Sequence, residues 1–275
     1  MGITGSGLMA ELVADLRAET ADLAGMVEDL DAAAWDLPTP AAGWAVRDQI
    51  SHLAWFDDAA TRSLTDPEGF RVARDALFSR GAGVIDDLAA GARGLSPREL
   101  LGWFGTARTR MIGELAGTDA RLRVPWYGPD MSAASSATAR LMETWAHGQD
   151  VADALGIVRV PTARLRHVAS LGVRALPYGF AVRGLALPAD PVRVELTLPD
   201  GAPWAAGPPG AQDVVRGPAL DFCLLVTQRC HLDDTRLEAA GATATSWLKI
   251  AQAFAGPPGK GRRPGYSPAL ARRSE

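Results

Sequence analysis

The sequence is poor in cysteine, lysine and long apolar runs, and it contains no asparagine. Its two cysteines, Cys223 and Cys230, lie in an apolar segment at a spacing that suits neither a secreted disulfide framework nor a close-spaced thiolate metal pair. The chain does not open with a basic residue followed by an apolar core, as a signal peptide does. No run approaches the ~18 apolar residues that cross a membrane. These absences predict a cytoplasmic protein that does not span a membrane.

Positive charge is not concentrated in the body of the chain. The net charge is -4, whereas a surface that binds nucleic acid or an anionic membrane needs a basic stripe to displace counterions. The basic cluster that does occur lies in a Gly/Pro-rich C-terminal segment and consists of Lys260, Arg262, Arg263, Arg272 and Arg273. We therefore predict that residues 257–275 form a flexible, solvated tail, and that the protein binds neither nucleic acid nor membrane.

Apolar residues recur at helical spacing through the first part of the chain. Ser96, Pro97 and Glu99 form a capping box at the start of one helix, and Gly156 is placed to end another. The predicted helices cover residues 7–34, 46–63, 67–88, 97–117 and 132–155, and residues 121–131 are predicted to be an irregular loop. Four long helices and a shorter one indicate a helical bundle.

The pattern changes after Gly156. Residues 192–198 alternate between apolar and polar and end in the turn Pro199-Asp200-Gly201, as a hairpin strand does. Further strands near 202–206 and 212–216 would complete a small antiparallel sheet, covered by helices at 219–228 and 244–254. We predict an α domain at 1–156, an α+β domain at 160–256 and the tail at 257–275.

Four residues could form a metal site. Glu143 and His147 are four apart in a predicted helix, with Asp150 three residues further on, so all three project from one face. His52 lies within another predicted helix, where a bundle would bury its ring at a cost unless the ring has a partner. Two imidazoles and a carboxylate form the His₂Glu set of catalytic zinc sites, with one position left for water or substrate.

Each of these residues also has an ordinary structural interpretation. A histidine in an amphipathic helix is commonly a core or surface residue, and Glu-x-x-x-His arises in helices by chance. For Asp150 the favoured role is to accept the ring N–H of His147 rather than to ligate the metal. His167 and His231 have no partner at ligand spacing and are predicted to be structural. The tryptophans that could line an apolar pocket, or simply fill the core, are Trp44, Trp55, Trp126 and Trp145.

Two segments resemble a known family. Residues 43–54, Gly-Trp-Ala-Val-Arg-Asp-Gln-Ile-Ser-His-Leu-Ala, and residues 140–156, which contain Glu143 and His147, are similar to the two metal helices of DinB-like four-helix bundles. Within these bundles the chain is most similar to the actinobacterial mycothiol-dependent maleylpyruvate isomerase group. The C-terminal domain resembles, more loosely, the sterol-carrier-like α+β domain attached to that isomerase.

The resemblance implies that His52, Glu143 and His147 bind zinc or another divalent metal. The open position would take a small thiol such as mycothiol, which becomes a ready nucleophile when a metal lowers its pKa. Its addition to a small electrophile gives an isomer if the sulfur leaves again and a conjugate if it stays. The arginine that would hold the acidic substrate and the thiol is Arg229 or, as a second candidate, Arg216.

The segment Val124–Met131 departs from the isomerase and is typical of a sister group of metal-binding proteins. Its Trp126 and Tyr127 are candidate substrate contacts, and the substrate itself is left open. Two other functions remain: a non-catalytic protein that binds metal or a small molecule, and a metal-dependent hydrolase with Asp150 or Asp57 as base. A homodimer is compatible with the sequence, although no residue requires one.

Overall fold

A computed structural model describes residues 5–81 and 83–266. The chain divides into two compact units, Met1–Ile157 and Val158–Glu275. The first unit is helical and the second combines helices with a four-stranded sheet, so the predicted fold class, an α domain followed by a smaller α+β domain, is confirmed. None of the helices in the described ranges combines the length and apolar character needed to cross a membrane.

Among the described residues, the first unit contains six α-helices. They are α1 (Gly5–Val27), α2 (Val46–Thr65), α3 (Pro67–Phe78), α4 (Val84–Gly91), α5 (Pro97–Ala116) and α6 (Ala133–Leu155). The four long helices form the bundle, in which α2 packs against α5 and α6, and α1 packs against both α5 and α6. Leu23, Ile50, Leu53, Phe104 and Val151 meet in its core and are nearly or completely buried.

Two predicted helices differ from the structure. The first ends at Val27 rather than near 34, because the Asp31 carboxylate accepts a hydrogen bond from Ala34 N and starts a separate 3₁₀ turn at Ala34–Asp36. The predicted helix 67–88 is two helices, α3 and α4. Gly81 and Gly83, both with φ above +80°, lie in the break, where a left-handed backbone ends the helical path.

The segment before α6 is more regular than predicted. Strand β1 (Arg123–Val124) pairs antiparallel with β2 (Met131–Ser132), so residues 125–130 form the connection of a small ribbon. The Ser132 hydroxyl then accepts a hydrogen bond from Ser135 N and caps the first turn of α6. Gly156, with φ +70°, ends the helix as predicted. Local signals therefore define both ends of α6, the helix that carries Glu143 and His147.

Within its described residues, 158–266, the second unit contains four α-helices and four strands: α7 (Leu165–Arg174), α8 (Leu176–Ala181), β3 (Val192–Thr197), β4 (Pro203–Ala206), β5 (Asp213–Pro218), α9 (Ala219–Val226), β6 (Glu238–Ala240) and α10 (Ala242–Leu248). The sheet order is β4-β3-β5-β6. The β3–β4 hairpin is antiparallel as predicted, but β5 pairs parallel to β3, and β6 was not predicted. The prediction of a purely antiparallel sheet is therefore wrong.

Part of the predicted tail follows the second unit closely. Gly259 N donates to Gln252 Oε1 at 3.0 Å, and Gly261 N donates to Gln228 Oε1 at 3.3 Å. Lys260 and Arg262 belong to this hydrogen-bonded segment. Residues 267–275, including Arg272 and Arg273, lie outside the described residues.

Candidate metal centre

Helix α2 places His52 in the first unit, and Asp48 determines where that helix begins. The Asp48 carboxylate accepts hydrogen bonds from Ala45 N at 2.8 Å and from the Nε and Nη2 atoms of Arg93, both at 2.9 Å. An acceptor that binds the free N–H at a helix N-terminus stabilises the first turn. His52 follows one turn later, with 12% of its side chain exposed.

Helix α6 brings a carboxylate and a second imidazole to the same point. His147 Nε2 lies 3.0 Å from Glu143 Oε2, and His52 Nε2 lies 3.6 Å from the same oxygen. The two imidazole rings are 4.4 Å apart between centroids. One ligand atom from each of the three residues falls within 4.8 Å of the other two. The predicted trio is thus assembled from two helices.

This spacing fits a divalent metal. Zinc binds imidazole nitrogen and carboxylate oxygen at about 2.0 to 2.2 Å, so that two ligands of a tetrahedral ion lie about 3.4 Å apart. The 3.0 and 3.6 Å separations bracket that value. Two imidazoles and one carboxylate are also the donor set that zinc accepts in open sites.

A hydrogen-bonded chain determines the tautomer of His147. Thr39 Oγ1 donates to Trp44 O at 2.9 Å, so it accepts from Gln49 Nε2 at 2.8 Å. The Gln49 Oε1 atom therefore faces His147 Nδ1, 2.5 Å away, and Nδ1 carries the proton. In the neutral ring, a lone pair on Nε2 then faces the Glu143 carboxylate. Because two lone pairs repel each other, this contact requires either a second proton or a cation between His147 Nε2 and Glu143 Oε2.

The role predicted for Asp150 falls to Gln49. Both ring nitrogens of His147 face other groups, Nδ1 facing Gln49 and Nε2 facing Glu143. The expectation that the Asp150 carboxylate accepts the His147 N–H is therefore wrong. Asp150 itself is fully buried on α6. The partner that orients the His147 ring is therefore the neutral carboxamide of Gln49 and not a charged carboxylate.

Burial and neighbouring charge tune the trio toward metal binding. Burial, with a smaller contribution from His147, lowers the pKa of His52 to about 4, so its ring is neutral near pH 7. Burial alone would raise the pKa of Glu143, but its close polar contacts with His147 and His52 and the charge of Arg140 hold that pKa well below its usual range. A neutral imidazole and an ionised carboxylate are the forms that bind metal.

A buried ion cluster lies beside the trio. Arg108 Nε donates to Asp57 Oδ2 at 2.6 Å, and Arg140 Nη1 lies 3.8 Å from Asp57 Oδ1. All three side chains are at most 4% exposed. Asp57 was considered as a general base, but its carboxylate is held by two guanidinium groups. Its pKa is raised by burial, an effect opposed by Arg108 and Arg140.

Comparisons with known proteins identify the family and the fold. The domain described as the mycothiol maleylpyruvate isomerase N-terminal domain matches residues 16–152. Uncharacterized proteins from two strains of Mycobacterium tuberculosis, H37Rv and CDC 1551, are each 51% identical to this chain over 250 residues, which cover 91% of this chain and 97% of theirs. The chain belongs to the mycothiol maleylpyruvate isomerase N-terminal domain family.

Two crystal structures share the fold of this family member. The mycothiol-dependent maleylpyruvate isomerase aligns with a TM-score of 0.54 and 16% identity, and its mutant with a single histidine replaced by alanine aligns with a TM-score of 0.56 and 17% identity. Each alignment covers 79% of this chain and 88% of the other. At this identity the match establishes the fold, so the chemistry must be argued from the residues of this chain.

Aromatic rings surround the trio in this member of the isomerase-domain family. Between ring centroids, Trp44 lies 5.2 Å from His52 and 6.0 Å from His147, and Phe56 lies 4.6 Å from His52. Trp126 and Tyr127 are one ring further away, in contact with Phe56 at 6.2 and 5.6 Å. The two loop residues thus belong to the aromatic wall next to His52, and their role as substrate contacts stays a prediction.

The arginines predicted in the second unit have different surroundings. Arg216 on β5 lies 2.9 Å from Glu195 on β3, and about half of its side chain is exposed. That neighbour makes Arg216 the weaker candidate. Arg229 follows α9 and donates to Thr227 O at 2.6 Å. Its proposed contact with the substrate stays a prediction.

Sequence reasoning missed three residues of the site. Gln49 is a polar side chain at a buried position three residues before His52, and that placement was a usable signal. Arg140 begins the second metal segment, and Arg108 lies in the capped helix α5. Their pairing with Asp57 joins residues far apart in sequence, so it follows from the packing of the bundle and from no local pattern.

Proposed function

We propose that His52, Glu143 and His147 bind a divalent metal, zinc in the first instance, and that the protein uses a small thiol such as mycothiol to attack a small electrophile. The observation that carries the proposal is the position of Glu143 Oε2, 3.0 Å from one imidazole nitrogen and 3.6 Å from the other. Membership of the mycothiol maleylpyruvate isomerase N-terminal domain family supports the choice of thiol.

A bound metal would supply acidity, lowering the pKa of a coordinated thiol so that the thiolate predominates near neutral pH. The residues of the chain keep the site ready for this. Gln49 holds the proton of His147 on Nδ1, so the lone pair of Nε2 is available to coordinate a metal. Trp44 and Phe56 cover the His52 ring and limit access of water.

The nucleophile must come from outside the chain. Cys223 and Cys230 are both buried, and burial raises the pKa of each thiol, so neither is a thiolate near pH 7. A small thiol supplies the sulfur instead. The thiolate sulfur would add to one carbon of an activated C=C bond of the substrate, forming a C–S bond while the π electron pair moves onto the electron-withdrawing group. If that pair returns after rotation about the former double bond and expels the thiolate, the product is an isomer. If the adduct takes up a proton from solvent instead, the product is a conjugate.

The test combines metal content with thiol chemistry. We expect about one equivalent of zinc in the purified protein, and loss of this zinc in His52→Ala and His147→Ala but not in His231→Ala, whose histidine belongs to the second unit. Zinc-loaded protein is then incubated with mycothiol and monobromobimane, and the consumption of thiol is followed. We expect a rate above that of the free thiol, and a rate equal to it in His147→Ala.

The outcomes separate three functions. Zinc bound by the trio with no acceleration of thiol consumption would indicate a binding protein without catalysis. Hydrolysis of an activated ester in the absence of thiol, lost in His147→Ala, would indicate a hydrolase. Zinc content unchanged in all three histidine variants would remove the metal centre itself.

A further inference from the structure

A cavity of about 360 Å³ in the second unit collects positive charge. The chain contains two lysines, and both line this cavity. The cationic side chains around it, with a histidine among them, are Arg183, His231, Lys249, Lys260 and Arg262. Among the described residues that line it, Asp233 is the one acidic side chain. Such a concentration is notable in a chain whose net charge is -4.

The segment that carries Lys260 and Arg262 is fixed in place rather than simply exposed. Two glutamines hold it: Gln252 Oε1 accepts from Gly259 N at 3.0 Å, and Gln228 Oε1 accepts from Gly261 N at 3.3 Å. A Cβ added at Gly259 would lie only 2.0 Å from Gln228 Oε1. The close approach that Gly259 allows therefore holds the two basic residues at the edge of the cavity.

Gln228 is the left-handed residue that follows the end of α9, where Gln228 N donates to Leu225 O and Arg229 N donates to Leu224 O. Its φ of +59° is the positive value found for a non-glycine residue in the described part of the chain. Its Nε2 also donates to Ala251 O at 3.3 Å, so the Gln228 carboxamide links the basic segment to the chain that follows α10.

His231 adds a hydrogen-bond donor. Its Nδ1 accepts from Asp233 N at 3.1 Å, which places the proton of the neutral ring on Nε2. The ring therefore has an N–H to offer to an acceptor. An anion in the cavity would gain this donor in addition to the lysine and arginine charges.

We propose that this cavity binds the phosphoryl group of a small molecule. A compact dianion matches four cationic side chains around one volume, and the arginine fork and lysine ammonium are the groups that recognise phosphate in proteins. The volume lies at the lower end of the range for small-molecule sites. The inference goes beyond the proposed function, because it involves neither the metal centre nor the thiol.

The experiment measures binding of inorganic phosphate and pyrophosphate to the full chain by calorimetry at constant ionic strength. Saturable binding is expected, and Lys249→Ala and Lys260→Ala should each weaken it by ~10-fold, since each removes a charge that contacts the anion. Arg193→Ala is the matched control, because it removes one positive charge from β3 in the same unit and away from the cavity. It should leave the affinity unchanged.

A second pair of variants tests the clamp. Gly259→Ala should weaken pyrophosphate binding, because the added Cβ would push aside the Gln228 carboxamide that accepts from Gly261 N, whereas Gly210→Ala, where a Cβ meets no atom within 4 Å, should not. Circular dichroism checks that both variants fold. Absence of saturable binding to the wild-type chain, equal weakening in Arg193→Ala, or tighter binding of succinate than of phosphate would each overturn the proposal.

Discussion

At the scale of single residues, Gln49 orients the His147 ring of the proposed metal centre. Its carboxamide accepts the Nδ1 proton of His147 and is itself fixed by Thr39. Gln49→Leu removes that acceptor while keeping a side chain of similar size. We expect the affinity for zinc to fall by about 10 to 100-fold, the usual effect of losing a partner that orients a ligand. Competition with a chromogenic chelator measures it.

Gln149→Leu provides the control for this prediction. Gln149 is also buried on the first unit, but its carboxamide donates to Asp153 rather than to a ligand of the trio. Its zinc affinity should stay close to that of the wild type. Equal affinities in Gln49→Leu and Gln149→Leu would mean that the His147 ring needs no such partner.

The sequence was sufficient to predict His52, Glu143 and His147, because helical spacing and two local segments contain that information. It was not sufficient to predict Gln49. The carboxamide is recognisable as a partner of His147 only when Thr39 and Trp44 are seen to fix its orientation, and those contacts connect a loop to a helix. Asp150 was assigned that role because it lies on the same face of the predicted helix as His147. A shared helix face does not determine which side chain lies closest to the His147 ring.

The cysteines offer a prediction that depends on a pKa shift. Burial raises the pKa of both Cys223 and Cys230, so the thiols stay protonated through the range from pH 7 to 8, where an exposed thiol begins to ionise. Neither should react with Ellman's reagent in the folded protein at pH 8. Both should react in guanidinium chloride. Rapid reaction of one thiol in the folded protein would contradict the burial and would restore a nucleophile within the chain.

At the scale of helices, the buried ion cluster joins the four long members of the bundle. Arg108 on α5 binds Asp57 on α2, and its Nη1 donates to Thr20 on α1 at 2.7 Å and to Thr144 on α6 at 2.9 Å. Asp57→Ala would leave two buried guanidinium groups without their counterion. We expect the free energy of unfolding to fall by about 3 to 5 kcal/mol, measured by urea denaturation.

The neighbouring aspartate is a matched control for that variant. Asp58 is exposed and accepts one hydrogen bond, from Trp103 Nε1 at 2.7 Å. Asp58→Ala should therefore lower the free energy of unfolding by no more than about 1 kcal/mol. Similar losses in the two variants would show that the cluster is dispensable to the bundle.

Helices were easier to predict than the sheet, and the reason is physical. The boundaries of α5 and α6 follow from local signals such as the Ser96 capping box and the left-handed Gly156. The partner of a strand is a non-local choice. β3 and β4 are joined by a turn and were predicted as a hairpin, whereas the parallel pairing of β5 with β3 and the addition of β6 depend on contacts outside those segments.

At the scale of the whole molecule, composition and pattern predicted an α part followed by an α+β part. The Gly/Pro-rich, basic segment at the C-terminal end of the described chain was predicted to be a flexible, solvated tail, and most of residues 257–266 are exposed to solvent. In the structure Gln228 and Gln252 bind its backbone at Gly261 and Gly259. Low apolar content therefore did not prevent the segment from attaching, because amide hydrogen bonds took the place of apolar packing.

Metal binding should stabilise the first unit as a whole, because the trio joins two of its four long helices. A ligand that binds only the folded state adds RT ln(1 + [L]/Kd), about 2.7 kcal/mol at a free zinc concentration 100 times the Kd. That corresponds to a rise in Tm of roughly 5 to 10 °C for a unit of this size. Six of the eight tryptophans lie within residues 1–157, so intrinsic fluorescence reports mainly on this unit.

The variants determine whether such a rise comes from the trio. In His147→Ala the zinc-dependent rise in Tm should disappear, because one of the two imidazole ligands is lost, and chelation of zinc from the wild type should lower its Tm to the metal-free value. His231→Ala should keep the full rise. A rise of equal size in His147→Ala would place the stabilising zinc at another site, and the thiol chemistry would then lose its structural basis even if zinc were bound.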